Sequence, residues 1–294
     1  MPDALWEKNL VELIRRTSTD LPADVEAALR RALNREKRGS HASWVLETIL
    51  ANAAIARAQS IPLCQDTGTL TFYFCVPVGF DTNALVARTR TAVAKATRAG
   101  YLRQNTVDSV SGAMYETNIA HASPVFYFQQ GARKTIDVRL IIKGGGSENV
   151  GCQYSLPDTS LGAERDLEGV RRCVLDAVWK AQGNGCAPGI LGVCIGGDRA
   201  SGFEHAKVQF LHKLGQRSRV KALAKLEDRI MKDARKLGIG PMGLGGKTAL
   251  LGVHIGALSR VPASFFVSVS YMCWALRRRG VVLGPEGGLH RWLY

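Results

Sequence analysis

No apolar run in this 294-residue chain comes near the roughly 18 residues that a membrane-spanning helix needs. The first residues, Met1-Pro2-Asp3-Ala4-Leu5-Trp6-Glu7-Lys8, lack the charged-then-apolar pattern of a secretory leader. Both absences predict a cytoplasmic protein with no membrane association. No Cys-x2-Cys pair occurs among the seven cysteines, which removes zinc-ribbon and ferredoxin spacings. An odd cysteine count in such a chain also argues against a disulfide framework. Any metal site must therefore be assembled from cysteines distant in sequence. Internal repeats, low-complexity tracts and linker-like stretches are missing too, so residues 1–294 read as a single domain. Aromatics do not interleave the densest basic run, Lys213 to Lys236, so the net charge of +14 gives little support for nucleic-acid binding. A solvated basic surface fits that charge better, as does a site for anionic small molecules or an acidic partner subunit.

What is present is a globular composition, 46% hydrophobic and 22% charged, long enough for a sizeable core. Trp6, Leu10, Leu13 and Ile14 share one face of a helix over residues 3–16. Asp20-Leu21-Pro22-Ala23-Asp24 reads as a turn and cap. A second helix follows to about Lys37, and a third opens at Ser40-His41-Ala42-Ser43. The first 60 residues or so are thus helical. Thr71 to Val78 is aromatic and β-branched, hence a strand; a helix over 82–99 follows. Residues 104–125 are polar and punctuated by Gly and Pro, a long loop or short strands. Strands are expected at 135–142, 190–195, 248–256 and 263–270, and helices at 163–182 and 219–237. The pattern predicts an α/β fold: a helical N-terminal layer, then a mixed α/β arrangement.

Chemistry-bearing residue types gather where these elements break. Ile61-Pro62-Leu63-Cys64-Gln65-Asp66-Thr67-Gly68-Thr69 sets a thiol, an amide and a carboxylate side by side. Lys143-Gly144-Gly145-Gly146-Ser147-Glu148-Asn149 follows a strand. Its glycines permit left-handed backbone and an anion-binding nest, or simply a turn. Gly183-Asn184-Gly185-Cys186-Ala187-Pro188-Gly189 exposes the backbone around Cys186. Cys64, Cys186 and Cys273 each stand at the edge of an apolar element beside Gly, Pro or polar residues. Cys75 and Cys194 lie in strand-like runs and Cys173 in a helix, most simply as core residues; Cys152 is ambiguous. Gly240-Pro241-Met242-Gly243-Leu244-Gly245-Gly246-Lys247-Thr248 ends like a phosphate-binding P-loop. Pro241 stands where that motif needs its first Gly, which argues against nucleotide binding.

Five stretches in one order carry a resemblance. They are Cys-Gln-Asp-Thr-Gly at 64–68, Lys-Gly-Gly-Gly-Ser-Glu-Asn at 143–149, and Cys-Ala-Pro at 186–188 leading to Ile-Gly-Gly-Asp at 195–198. Gly-Gly-Lys-Thr-Ala-Leu at 245–250 and Val-Ser-Tyr-Met-Cys-Trp at 269–274 complete the set. Over about residues 5–280 the chain resembles the α-subunit, or N-terminal domain, of the class I iron–sulfur hydro-lyases. That family includes fumarate hydratase and L-tartrate dehydratase. The resemblance implies the family's α/β fold and a 4Fe–4S cluster held by Cys64, Cys186 and Cys273. Three thiolates leave one iron without a protein ligand, free to polarise a substrate hydroxyl.

The resemblance also implies that Gln65, Asp66, Arg103 (in Tyr-Leu-Arg-Gln-Asn) and the Gly146 N–H hold a C4 dicarboxylate. Fumarate or malate comes first, tartrate next. Asp66 and, more weakly, Lys247 are the candidate catalytic groups. The family's C-terminal half is missing, so a β-subunit in a heterodimer or heterotetramer is implied. Family members usually carry a histidine twelve residues before the last cluster cysteine, where this chain has Val261. Valine cannot hydrogen-bond or orient a substrate. A divergent α-like subunit that binds cluster or partner without turnover is therefore the alternative.

Overall fold

A computed structural model describes residues 2–294. The helices are α1 (Pro2–Thr19), α2 (Ala23–Leu33), α3 (His41–Gln59), α4 (Thr82–Arg98), α5 (Gly145–Asn149), α6 (Leu167–Ala181), α7 (Arg199–Val208) and α8 (Lys221–Ala234). The strands are β1 (Thr69–Pro77), β2 (Thr106–Val107), β3 (Met114–Tyr115), β4 (Val125–Gly131), β5 (Ile136–Lys143), β6 (Cys152–Ser155), β7 (Gly189–Ile195), β8 (Leu250–Ala257), β9 (Phe266–Met272), β10 (Arg277–Leu283) and β11 (Leu289–Trp292). The fold is α/β with a helical N-terminal region, as the pattern predicts. Among the described residues, no helix is long and apolar enough to cross a membrane.

The chain forms two compact units, each discontinuous in sequence. One comprises residues 1–23, 51–145 and 277–294, the other 24–50 and 146–276. The chain passes between them inside α2, α3 and α5 and just before β10. Continuous helices at three of the four passages leave no linker to read there. The N-terminal helices are shared out accordingly, with α1 in the first unit and most of α2 in the second.

The first unit is built on a mixed sheet of order β11-β10-β5-β1-β4, in which only β1 and β4 run parallel. Leu70, Phe72, Phe74 and Val76 alternate inward along β1, as a period of two requires. Register sets Phe72 opposite Phe126 and Phe74 opposite Phe128, and the rings stack. Trp6, Leu10, Leu13 and Ile14 all belong to this core. α1 packs on α4, β5 and β10.

The second unit has a four-stranded sheet, β6-β9-β7-β8, with β7 and β8 parallel. β7 is buried along its whole length, because α7 packs on it and on β9, and α8 on β8. The basic run from Lys213 turns at Gly215, in the left-handed region, and becomes helix only at Lys221. Within α8, Leu223, Leu226, Ile230 and Ala234 form the buried stripe; Glu227 is buried with them, accepting from the Ser218 and Ile255 N–H groups, and the other charges occupy the outer faces. Six elements escape the sequence pattern: β4, α5, β6, α7 and the terminal β10 and β11.

Candidate functional site

The Cys64 turn in the first unit is tightly held from below. Leu63 is buried; its N–H donates to Ser18 O at 2.9 Å and its carbonyl accepts from Asn52 Nδ2 at 3.0 Å. The Asp66 N–H donates toward Cys64 Sγ at 3.4 Å. The Asp66 carboxylate accepts from Asn105 Nδ2 at 2.9 Å and from the Gly145 N–H at 2.7 Å. The buried Arg277 guanidinium clamps the Asp66 carbonyl at 2.8 Å. Gly68 has φ +77°, and a Cβ there would stand 2.2 Å from Lys143 O. Only glycine allows β1 to start so close to the end of β5.

Arg103 and Asn105 reach the turn through a second anchor. The Arg103 N–H donates to the buried Thr67 hydroxyl at 2.7 Å. Fully buried Asn118 accepts from the Asn105 N–H and donates to Arg103 O, both at 2.8 Å. This leaves the Arg103 side chain exposed, as is Gln65. Structure thus groups Cys64, Gln65, Asp66 and Arg103 in one neighbourhood. Asn105, Asn118 and Arg277 belong to it as well, although the motifs did not single them out. Asn105 closes the Tyr-Leu-Arg-Gln-Asn stretch, and Arg277 opens a run of three arginines; both were available signals.

The three glycines after β5 do not form a left-handed nest. None of Gly144, Gly145 or Gly146 has positive φ, and α5 begins at Gly145. Gly144 is small for another reason, since its Cβ would meet Asp66 Oδ2 at 2.8 Å. Gly146, in the first turn of α5, is exposed.

In the second unit Cys186 and Cys273 are neighbours by topology. Cys186 precedes β7 and Cys273 follows β9, and these strands are antiparallel partners, so both cysteines fall at the same sheet end. The Trp274 N–H donates to Cys186 O at 3.3 Å. Cys186 has φ +55°, a left-handed conformation costing about 1–3 kcal/mol in a non-glycine residue. Glycine would be relaxed there, so the thiol is what the position retains. The Tyr271 ring lies against Gly185 and Gly189, where a Cβ would approach it to 2.4 and 2.2 Å. Burial, then the Cys273 and Cys186 thiols, raise the Tyr271 pKa and keep its phenol neutral.

The Gly240–Thr248 stretch packs on this loop, with the Met242 N–H donating to Ala187 O at 2.8 Å. Glu36 takes the Lys247 N–H at 3.0 Å and the Thr248 hydroxyl at 2.6 Å. A P-loop would need that amide for phosphate, so the resemblance to one is superficial. The Lys247 side chain is exposed, as is Val261 at 65%.

No disulfide joins any of the seven cysteines, and Cys64, Cys186 and Cys273 are half-buried. Burial pushes Cys173 up to about 12 and Cys194 up to about 11, as expected of core thiols. Cys75 differs from the core reading. It lies half-buried on the outward side of β1, because the inward positions fall to Phe74 and Val76. Cys152 is half-buried beside Tyr154, and burial raises its pKa. Among the described residues no group of three or more His, Cys, Asp or Glu gathers tightly enough for a single metal ion.

These motifs match a known family along most of the chain. Residues 7–282 fit the model of the fumarate hydratase (Fumerase) family, and the chain belongs to that family. It is 47% identical over 296 aligned residues to a protein of Geobacillus stearothermophilus named "Putative fumarate hydratase class I". That alignment takes in 99% of this chain and 57% of the relative, so the chain spans just over half of that protein's length. It is 32% identical to the "Putative L(+)-tartrate dehydratase subunit alpha" of Methanocaldococcus jannaschii, over 92% of this chain and 94% of the relative. Similarity to the "L(+)-tartrate dehydratase subunit alpha" of Escherichia coli K12 is 30%, over 90% and 86%.

Proposed function

We propose that this chain is the α part of a hydro-lyase that adds water to, or removes it from, a C4 dicarboxylate. Fumarate and malate come first as substrates, and tartrate next. The observation that carries the reading is the family match over residues 7–282, which takes in every motif residue described above. Two of the relatives are named as α subunits, which supports a partner chain completing the active site.

Cys64, Cys186 and Cys273 are the proposed ligands of a 4Fe–4S cluster, on the strength of the motifs they stand in. Each is half-buried at a loop and outside any disulfide, Cys64 receives an N–H, and Cys186 keeps its thiol in a backbone conformation that favours glycine. When bound, the cluster supplies a Lewis-acidic iron that polarises the substrate hydroxyl.

The remaining roles belong to side chains of this chain. Arg103, exposed and anchored by its backbone, offers a guanidinium fork for a substrate carboxylate. Gln65 and the Gly146 N–H add neutral donors. A carboxylate has about four lone-pair sites. Two on Asp66 are taken by Asn105 and Gly145, which fix its orientation, and the others remain for substrate or a proton. Lys247, its backbone pinned by Glu36, is the second candidate for handling a proton.

The test is an anaerobic assay of the chain together with its β partner. Hydration of fumarate or dehydration of tartrate is expected, with kcat/KM falling at least tenfold in Arg103→Met. Absence of turnover on both substrates in iron-loaded protein would favour the non-catalytic alternative that Val261 raises.

A further inference from the structure

A second cationic feature lies in the first unit, at the end of α1. A cavity of about 240 Å³ is lined by Arg15, Arg16, Thr19, Asp20, Arg57, Arg279, Trp292 and Tyr294. Four guanidiniums share two carboxylates there. Glu12 bridges Arg15 at 2.7 Å and Arg16 at 2.6 Å. Asp20 bridges Arg57 and Arg279, the latter at 2.6 Å. These side chains therefore carry a net charge of +2.

The arginines are positioned rather than loose. Arg15 also donates to the Ser60 hydroxyl at 2.9 Å, and the Arg16 guanidinium lies 4.2 Å over the Trp292 ring. Arg279 is only 9% exposed; its Nη2 is spent on Asp20 and Leu21 O, while its Nε makes no hydrogen bond. Burial lowers the Arg279 pKa; Asp20 opposes the shift, and the charges of Arg16, Arg278 and Arg57 reinforce it. The buried Arg279 Nη1 donates to Tyr294 O at 3.5 Å, and the clustered guanidiniums with surplus positive charge are stabilised by an anion that replaces lost solvent.

We infer that this cavity binds a small dianion, a phosphate group or a short dicarboxylate, through the forks of Arg15, Arg16, Arg57 and Arg279. Negative charge on the ligand offsets the excess of guanidiniums over carboxylate side chains in this wall. Planar or tetrahedral oxyanions match paired guanidinium donors, and the volume admits one such group without a nucleotide-sized appendage. Nothing in this inference depends on the hydro-lyase reading.

The experiment is calorimetric titration of the full chain with inorganic phosphate and, separately, malonate. Chloride at matched ionic strength is the reference. Saturable binding of at least one dianion beyond chloride is expected, and the preferred one identifies the source chemistry. Arg57→Gln and Arg16→Gln, on partly exposed side chains, should each weaken it about tenfold, the value of one charge-assisted contact. Those variants also separate this cavity from any malonate held at Arg103. Dianion responses indistinguishable from chloride, or both variants binding like wild type, would overturn the inference.

Discussion

Replacing Gly144 by alanine tests how the Asp66 carboxylate is held. The backbone there is not left-handed, so alanine carries no conformational penalty. The added Cβ would stand 2.8 Å from Asp66 Oδ2, 3.3 Å from its Cγ and 3.5 Å from Arg277 Nη2. A flexible side-chain tip would swing away at little cost. Asp66 cannot, because Asn105 and the Gly145 N–H fix both of its oxygens. Turning the carboxylate sacrifices the Gly145 contact, a charge-assisted bond worth about 1.5–3 kcal/mol. Reduced freedom of the unfolded chain returns about 0.4–1 kcal/mol. The net loss is about 1–2 kcal/mol, or roughly 2–8 °C in melting temperature. Calorimetry on the chain reads the stability. On the reconstituted enzyme, kcat/KM should fall more than the stability loss alone explains. A variant matching wild type in both measurements would refute the claim that Asp66 is held in one orientation.

Other consequences follow from the same contacts. Glu36→Ala leaves the Lys247 amide and the buried Thr248 hydroxyl without their acceptor, and should cost about 2–3 kcal/mol in urea unfolding. Hydrogen bonding to Arg171 first, then to Arg229, lowers Glu168 from 4.5 to about 2. Its folded pKa is the lower one, so its stabilisation is present above about 4.5 and is lost as pH falls through about 2. Glu168→Gln should flatten that acid limb, by under ~1 kcal/mol because the pair is solvent-screened. Cys173 and Cys194 should resist a thiol-specific disulfide reagent at neutral pH until the protein is unfolded; rapid native-state labelling of either would contradict their burial.

Much of this is legible in the amino-acid sequence. The face of Trp6, Leu10, Leu13 and Ile14 and the alternation along β1 are local periodicities, and tertiary structure left them intact. β10 was not legible, because Arg277-Arg278-Arg279 reads as solvated surface. Its burial depends on partners far away in sequence: Asp20 for Arg279, the Asp66 carbonyl for Arg277 and the Tyr294 ring for Arg278. The two-unit division is hidden for a related reason, since three of its four passages run through helices instead of loops. Among site residues, Cys64, Asp66 and Arg103 carried motif signals. Asn118 carried none, because a buried asparagine that organises a loop looks in sequence like any polar loop residue. The glycines at 144–146 were visible, but their reason was not. Close approach of Asp66, and not left-handed backbone, keeps Gly144 small.

Iron content tests the central claim most directly. Anaerobically reconstituted wild-type chain should hold about four irons and four sulfides and be brown. Cys64→Ser, Cys186→Ser and Cys273→Ser should each lose most of the iron, whereas Cys75→Ser and Cys152→Ser should keep it. A wild-type chain that stays colourless and iron-free after reconstitution, or one whose iron survives all three of the first substitutions, would contradict the account.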